Sequence, residues 1–261
     1  MKTPVSPLLR LSLSALTLTT ALGFATASQA DTIGLHAGAG IWQADIGGEF
    51  GVSQTITTNE LGLSGEDANY FYLALEHPVP VLPNIRITQT DLEARGTNTL
   101  ESDFVFDEVV FPAGTEVATG LDLSHTDYTL YYEILDNIAS ADIGATFRSF
   151  DGGGAIRATS GNESLSESVD FSETAPMLYG RVQIDLPLSG FYVGGTINYI
   201  GLDDDKLQDL EARVGYMYSA VAASLGLELG YRKMSVQVDA DDDLEVDLDF
   251  DGTYAAIVFH F

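Results

Sequence analysis

Apolar and polar side chains alternate with a period of two along most of this chain. Phe71, Leu73 and Leu75 share one parity. So do Tyr128, Leu130, Tyr132 and Ile134; Ile143, Ala145 and Phe147; Val182, Ile184 and Leu186; Ala212, Val214, Tyr216 and Tyr218; and Leu225, Leu227, Leu229 and Tyr231. Successive side chains of a strand point to opposite faces, so each set makes one face of a β-strand apolar. The pattern predicts about ten strands, near 32–42, 68–77, 84–95, 121–135, 138–150, 174–187, 190–201, 207–219, 222–238 and 244–261, with eight and twelve as the alternatives.

The opposite parity carries the charges. Glu76, Arg86, Glu133, Asp142, Arg148, Arg181, Asp185, Glu211, Arg213, Glu228 and Arg232 all fall there. Arg presents a planar fork of donors that grips a carboxylate at two points, which suits a narrow lumen where every buried ion needs a partner. An apolar outside around an ionic inside is the arrangement of an all-β transmembrane antiparallel up-and-down barrel. About ten strands enclose a space that side chains largely fill, so no wide pore is expected.

The last strand agrees. Phe261, Phe259 and Ile257 form an apolar row that ends the sequence on an aromatic residue, the expected C-terminal assembly signal of an outer-membrane barrel. At the other end, Lys2 and Arg10 precede a short, weakly apolar stretch. Ser28-Gln29-Ala30 then offers a small-residue cleavage site, predicting an export signal over 1–30 cut between Ala30 and Asp31 and a barrel domain over 31–261. No run of about 20 apolar residues suggests a spanning helix. With 0 Cys, disulfides play no part.

The chain has 11 Lys and Arg against 39 Asp and Glu, a formal charge of −28. Loss of the export segment removes two cations and no acid. Such a charge repels nucleic acid. The aromatic content is too high for disorder.

Connection lengths set an expected orientation. The short ones, at Pro78–Pro83, Asp136-Asn137, Pro187–Gly190 and Ser219–Ala222, should be periplasmic, with both chain ends. The long ones, over 43–67, 96–120 and 151–173, and the acidic ones at Asp203–Asp205 and Asp239–Asp243, should be extracellular. Asp151-Gly-Gly-Gly154 reads as a flexible bend leaving a strand.

Glu76-His-Pro-Val-Pro-Val-Leu-Pro-Asn84 resembles a periplasmic-turn signature of the GlyGly-type small outer-membrane barrels of proteobacteria. So do Asp122-Leu-Ser-His-Thr-Asp127, Leu130-Tyr-Tyr-Glu-Ile-Leu-Asp-Asn137, Asp151-Gly-Gly and the terminal Phe-His-Phe. The resemblance spans most of residues 31–261. It implies the fold and the outer-membrane location, and no activity.

Four features bear on chemistry. A lipid A-modifying enzyme needs a lipid-facing Ser and His; Ser124 and His125 are strand neighbours and so face opposite ways, leaving His125 as a lumen partner for Asp127. His36 and His260 should meet where the first and last strands close, without a definite third metal ligand. Asp239, Asp241 and Asp243 have the spacing of a calcium loop, but Leu244 and Phe250 stand where such a loop needs Gly and Glu; a loosely held Ca²⁺ or Mg²⁺ is the only ion suggested, and a solvated charge run is favoured over it. Finally, Val236, Val238, Leu244, Val246 and Leu248 turn inward beyond the bilayer level, with Leu121, Leu123 and Phe150, while Glu245, Asp247, Asp249 and Asp251 turn outward. This predicts strands that continue past the membrane and close over an apolar plug, unless a bulge at Gly252 shifts the register. The function expected is structural or interactive at the cell surface, with no catalysis and no cofactor. Its partners are outer-membrane lipid and lipopolysaccharide and, during biogenesis, periplasmic chaperones and the barrel assembly machinery; the protein is expected to be monomeric. A lipid A- or phospholipid-modifying enzyme, a narrow cation channel and a binder of small apolar ligands are the alternatives.

Overall fold

The computed structural model describes residues 33–52, 54–106, 109–160, 163–202, 205–220, 223–240 and 244–261, and these form strands joined by turns, bends and irregular links, with no helix among them. In chain order the strands are β1 (Gly34–Gln43), β2 (Asp45–Val52), β3 (Thr55–Thr57), β4 (Leu63–Gly65), β5 (Asp67–Glu76), β6 (Asn84–Thr90), β7 (Glu93–Thr99), β8 (Phe104–Phe106), β9 (Val109–Phe111), β10 (Glu116–Asp122), β11 (His125–Asp136), β12 (Ala139–Ser160), β13 (Glu163–Asp185), β14 (Phe191–Leu202), β15 (Asp205–Ser219), β16 (Ser224–Ala240) and β17 (Leu244–His260). The expected signal segment, with its expected cleavage pair Ala30 and Asp31, lies outside the described residues, as do Asp203, Asp204, Asp241 and Asp243.

Ten strands close a barrel in the order β1, β5, β6, β11, β12, β13, β14, β15, β16, β17 and back to β1, every pair antiparallel. The closing seam pairs His36 with His260 and Trp42 with Tyr254. Below it the backbones of Leu35 and Phe261 exchange hydrogen bonds of 3.1 and 2.9 Å. The expected strand count is therefore met at ten.

Local alternation explains the wall. The apolar parity of each barrel strand points out: Leu73, Leu130, Ile143, Val182, Val214 and Leu227 are all exposed. Four or five such residues per strand on most of the ring give a belt on the order of 25 Å tall, the span of a bilayer core. Phe259 and Phe261 stack at the belt's lower edge. "Lower" here means the end with the chain termini and short turns, and "upper" the end with the long connections. At the lower end a register shift between Glu133 and Leu135 marks a β-bulge in β11.

The long connections hold more strand than the sequence suggests. β12 and β13 pair without interruption from Ala139↔Ile184 to Ser160↔Glu163, so the stretch over 151–173 is a tall hairpin and not a loop. The glycine run from Asp151 is regular strand. Alternation is hard to read there because the outer row, Ser164 to Thr174, faces water above the belt, and the inner row of Leu165, Val169 and Phe171 is interrupted by Glu167 and Glu173. Above the belt β12 exchanges its neighbour β11 for β10, which pairs β7 and through it β4; β17 exchanges β1 for β2, which pairs β3. A glycine marks each exchange. A Cβ on Gly152 would lie 2.2 Å from the Asp122 carbonyl, and one on Gly252 would lie 1.8 Å from that of Gln43. Gly252 thus permits close approach of a neighbouring strand. It makes no bulge, since β16 and β17 stay in register from Ser224↔His260 to Ala240↔Leu244.

Candidate functional site

The inward face has two zones. In the barrel it is ionic. Arg148 grips both oxygens of Asp127, Nε and Nη2 each at 2.7 Å, and its Nη2 also donates to Asp209 at 2.6 Å. Arg232 grips the same Asp209 from Nε at 3.0 Å and Nη2 at 2.7 Å, and lies 4.6 Å from the Trp42 ring centroid. The side chain of Arg148 is 0% exposed and that of Asp209 5%. Two sides of the barrel, β11 with β12 and β15 with β16, are thereby tied across the lumen. His125 is buried among them. Its Nδ1 meets the Leu123 carbonyl at 2.9 Å and its Nε2 faces Arg232 at 3.5 Å. The expected partnership of His125 with Asp127 is corrected: Arg148 offers that carboxylate a charge-assisted two-point contact, which a single imidazole N–H cannot match.

A second group lies lower. Arg213 Nη1 donates to Glu211 at 2.8 Å and to Thr196 at 2.9 Å, while its Nε stands 3.6 Å from Glu228. Tyr254 and Tyr192 donate to Glu211 and Glu228, at 2.7 and 2.8 Å. Glu76 accepts a hydrogen bond from the Tyr131 hydroxyl at 2.9 Å and lies 3.0 Å from His36 Nε2. Arg181 reaches Asp142 at 3.5 Å and Gln183 at 3.0 Å.

Three members of the expected network stand apart. Arg86 stacks on the Tyr72 ring, 3.7 Å from its centroid, and forms no ion pair among the described residues. Glu133 is exposed at the β11 bulge, and Asp185, also exposed, accepts from Gln183 at 3.0 Å and forms no ion pair among the described residues. Both sit at the lower mouth, where water replaces the need for a cation. Asp209, which joins the two deepest arginines, was missed by sequence reasoning. It shares the parity of Glu211 and Arg213, and that parity alone would have placed it inside.

Above this cluster the same inward face is apolar. Leu123, Phe150, Val238 and Leu248 are buried, and Leu121, Val236 and Val246 pack against the same cluster; the side chain of Leu244 lies outside the described ones. The segment between β6 and β11 folds over the mouth and adds Leu92, Ala94, Phe104, Phe111 and Val117. Leu61, Leu92, Ala94, Phe111, Val117 and Met234 expose no surface at all, so the layer is packed solid around them. Open space lies below. A gap of about 50 Å³ borders Arg86, Asp209 and Tyr254, and a vestibule of about 310 Å³ opens at the lower mouth between Tyr72, Arg181, Tyr192, Glu228 and the His36–His260 pair.

The two histidines stack with ring centroids 4.1 Å apart. Among the described residues no group of three or more His, Asp or Glu side chains could hold a metal ion. Asp239 takes a different part, its N–H donating to Asp205 at 3.0 Å. Ser124 accepts the Leu92 N–H at 3.1 Å, a structural bond at the bend between β10 and β11.

No family model matches the chain, and neither does any curated protein. Among solved structures it is similar to the CymD monoaromatic hydrocarbon channel, with 9% identity over 88% of each chain and a TM-score of 0.32. It is also similar to the P. putida toluene transporter TodX, with 9% identity over 88% of this chain and 90% of that one, and a TM-score of 0.28. Scores this low leave the barrel to stand on its own strand pairing.

Proposed function

We propose that this chain is an outer-membrane barrel with a sealed lumen, whose upper end is a rigid, acidic β-platform for contacts at the cell surface. The supporting observation is the double closure: the Arg148–Asp127–Asp209–Arg232 cluster spans the lumen, and the solid apolar layer sits directly above it. The short-turn end, with the termini, then faces the periplasm and the long hairpins face outward. The outward apolar belt contacts outer-membrane lipid and lipopolysaccharide, and the chain functions as a monomer without cofactor or catalysis. The segments that resemble GlyGly-type barrels fit this reading. Conductance of the purified protein in planar bilayers tests it. No current steps above background are expected; large stable steps would overturn the sealed lumen. Lipid A of unchanged acylation in cells with and without the gene is the matching expectation for the absence of an enzyme.

A second reading is passage of small apolar molecules, because the upper layer has a lining suited to them. It requires that layer to loosen. Entry of an uncharged aromatic solute into protein-bearing liposomes, at a rate above that of empty liposomes, would favour it over the sealed platform.

A further inference from the structure

The platform has two seams, and only one is closed. On one side, the segment between β2 and β5 stitches the upper sheets together: Thr58 N–H donates to Gly48 at 2.9 Å, Leu63 N–H to Thr58 at 2.8 Å, and β4 pairs β7. On the other side, β13 pairs β14 only from Leu178↔Tyr199 to Asp185↔Tyr192. Its upper part pairs β12 on one edge and, among the described residues, no strand on the other.

The direction of each backbone group on β13 can be read off. The Val169 carbonyl points at β12, lying 2.6 Å from where a Gly153 Cβ would be; the Val182 carbonyl points at β14, 2.7 Å from where a Gly194 Cβ would be. The β12–β13 register is unbroken, so odd residues bond to β12 and even residues face the other way. Pro176 fits this assignment, because its missing N–H falls on the side with no ladder. The N–H and C=O groups of Ser164, Ser166, Ser168, Asp170, Ser172 and Thr174 therefore line an open edge. None has a hydrogen-bond partner among the described residues. Natural edges are usually blunted by Lys, Pro or a bulge. This one has Pro176 at its base, a row of small exposed side chains above, and acids in place of Lys.

We propose that the open edge of β13 is a strand-addition site for an extended segment of another polypeptide, basic and with apolar side chains at alternate positions. This rests on the surface-contact function proposed above and names its partner class. An added strand would receive its ladder from the even residues and set its apolar row beside Leu165, Val169 and Phe171, which pack against the buried layer. Its other requirement is positive charge on the outer face, because Asp170 stands in that face and no Lys or Arg occurs between Ser160 and Gly180. The acidic side chains of this segment, with no cation among them, disfavour a second copy of this edge. Two barrels in one membrane, related by an axis along its normal, would also present the same residues at the same height, whereas a parallel ladder needs them staggered.

Amide hydrogen exchange on the folded protein in nanodiscs tests this, with an eight-residue peptide of alternating Val and Lys as probe and its Val–Glu counterpart as control. In the free protein the even amides from Ser164 to Thr174 should exchange at least tenfold faster than the odd ones. The Val–Lys peptide should protect the even set and the Val–Glu peptide should not. Ser168→Pro with Ser172→Pro removes free-edge donors without changing charge or the β12 ladder, and should weaken peptide binding at least tenfold. Should that double variant fail to fold, Asp170→Lys keeps the backbone and should weaken binding by charge alone. Undiminished binding to the variants, or no protection of the even amides, overturns the proposal. So does concentration-dependent protection without peptide, which would assign the edge to a second copy. Conductance on the same preparation reports the sealed lumen independently.

Discussion

The lumen and the layer above it are lined by the same strands, yet they are closed by opposite means. Along β16 the inward row runs from Arg232 to Met234, Val236 and Val238; along β12 it runs from Arg148 to Phe150 and Ile156; along β15 it runs from Asp209 to Leu207. One step along each strand exchanges ion pairing for carbon packing. Ions close a tube only where geometry satisfies every donor, and here it does so incompletely: Nε and Nη2 of Arg213 and Nε of Arg181 are buried without a hydrogen-bond partner among the described residues. Carbon packing has no such demand. The upper layer is accordingly the continuous one, whereas the lumen keeps gaps that water can fill.

The largest expected effect breaks the ionic closure. Asp209→Ala strips Arg232 of its carboxylate and leaves Arg148 with Asp127 alone, so a loss of about 3–5 kcal/mol is expected. Trp42, the single tryptophan, lies against Arg232 and reports the event by fluorescence during urea unfolding. An unchanged midpoint would mean that the cluster is already hydrated and seals nothing. The converse change sharpens the contrast. Replacing the whole cluster (Asp127→Leu, Arg148→Met, Asp209→Leu, Arg232→Met) extends the apolar layer downward. It should cost far less than Asp209→Ala does, because no charge is left unpaired.

The upper layer is expected to respond next most strongly. Leu92→Ala removes a side chain that exposes no surface and should cost about 2–5 kcal/mol, depending on how far its neighbours collapse. In the same bilayer recording used for the wild type, this variant should stay silent, since the ions beneath remain paired. Current steps in Leu92→Ala alone would show that the carbon layer is the seal.

The sequence showed these two zones unequally. Parity gave the outward belt and the inward placement of Arg148, Arg213 and Arg232, because a period of two survives any uncertainty about strand ends. It also gave the inward turn of Val238 and Leu248. It could not give the crossings of the lumen. Asp209 and Arg148 are 61 residues apart, on β15 and β12, and which acid meets which arginine depends on barrel tilt and register. The tall β12–β13 hairpin was illegible for another reason. With water on its outer face and glutamates interrupting its inner row, its residues carry no binary pattern to read.

The smallest expected effect concerns an ion on the wet side of the upper layer. Glu60 accepts from the backbone N–H of Thr57 at 3.0 Å and from its hydroxyl at 2.7 Å, in the turn that stitches the closed seam. The Thr57 hydroxyl bond, more than the backbone bond, holds the Glu60 carboxyl below its ordinary range. A carboxylate lowered in the folded state contributes stability at and above the unfolded value, near pH 4–5, and loses it as acid carries the pH down through the folded value. Glu60 is almost fully exposed, so solvent screens the effect to a few tenths of a kcal/mol. The measurement is therefore local: exchange at the Thr57 amide should accelerate relative to its neighbours only on the acid side of the ordinary glutamate range. Glu60→Gln should make it fast at neutral pH. Meanwhile the amides of Leu61 and Leu63, which bond to backbone carbonyls beside the carbon layer, should not change, because nothing in that layer titrates. A shared acid transition at all three amides would mean that the ions above the layer and the packing within it form one cooperative unit, and the two modes of closure would no longer be separable.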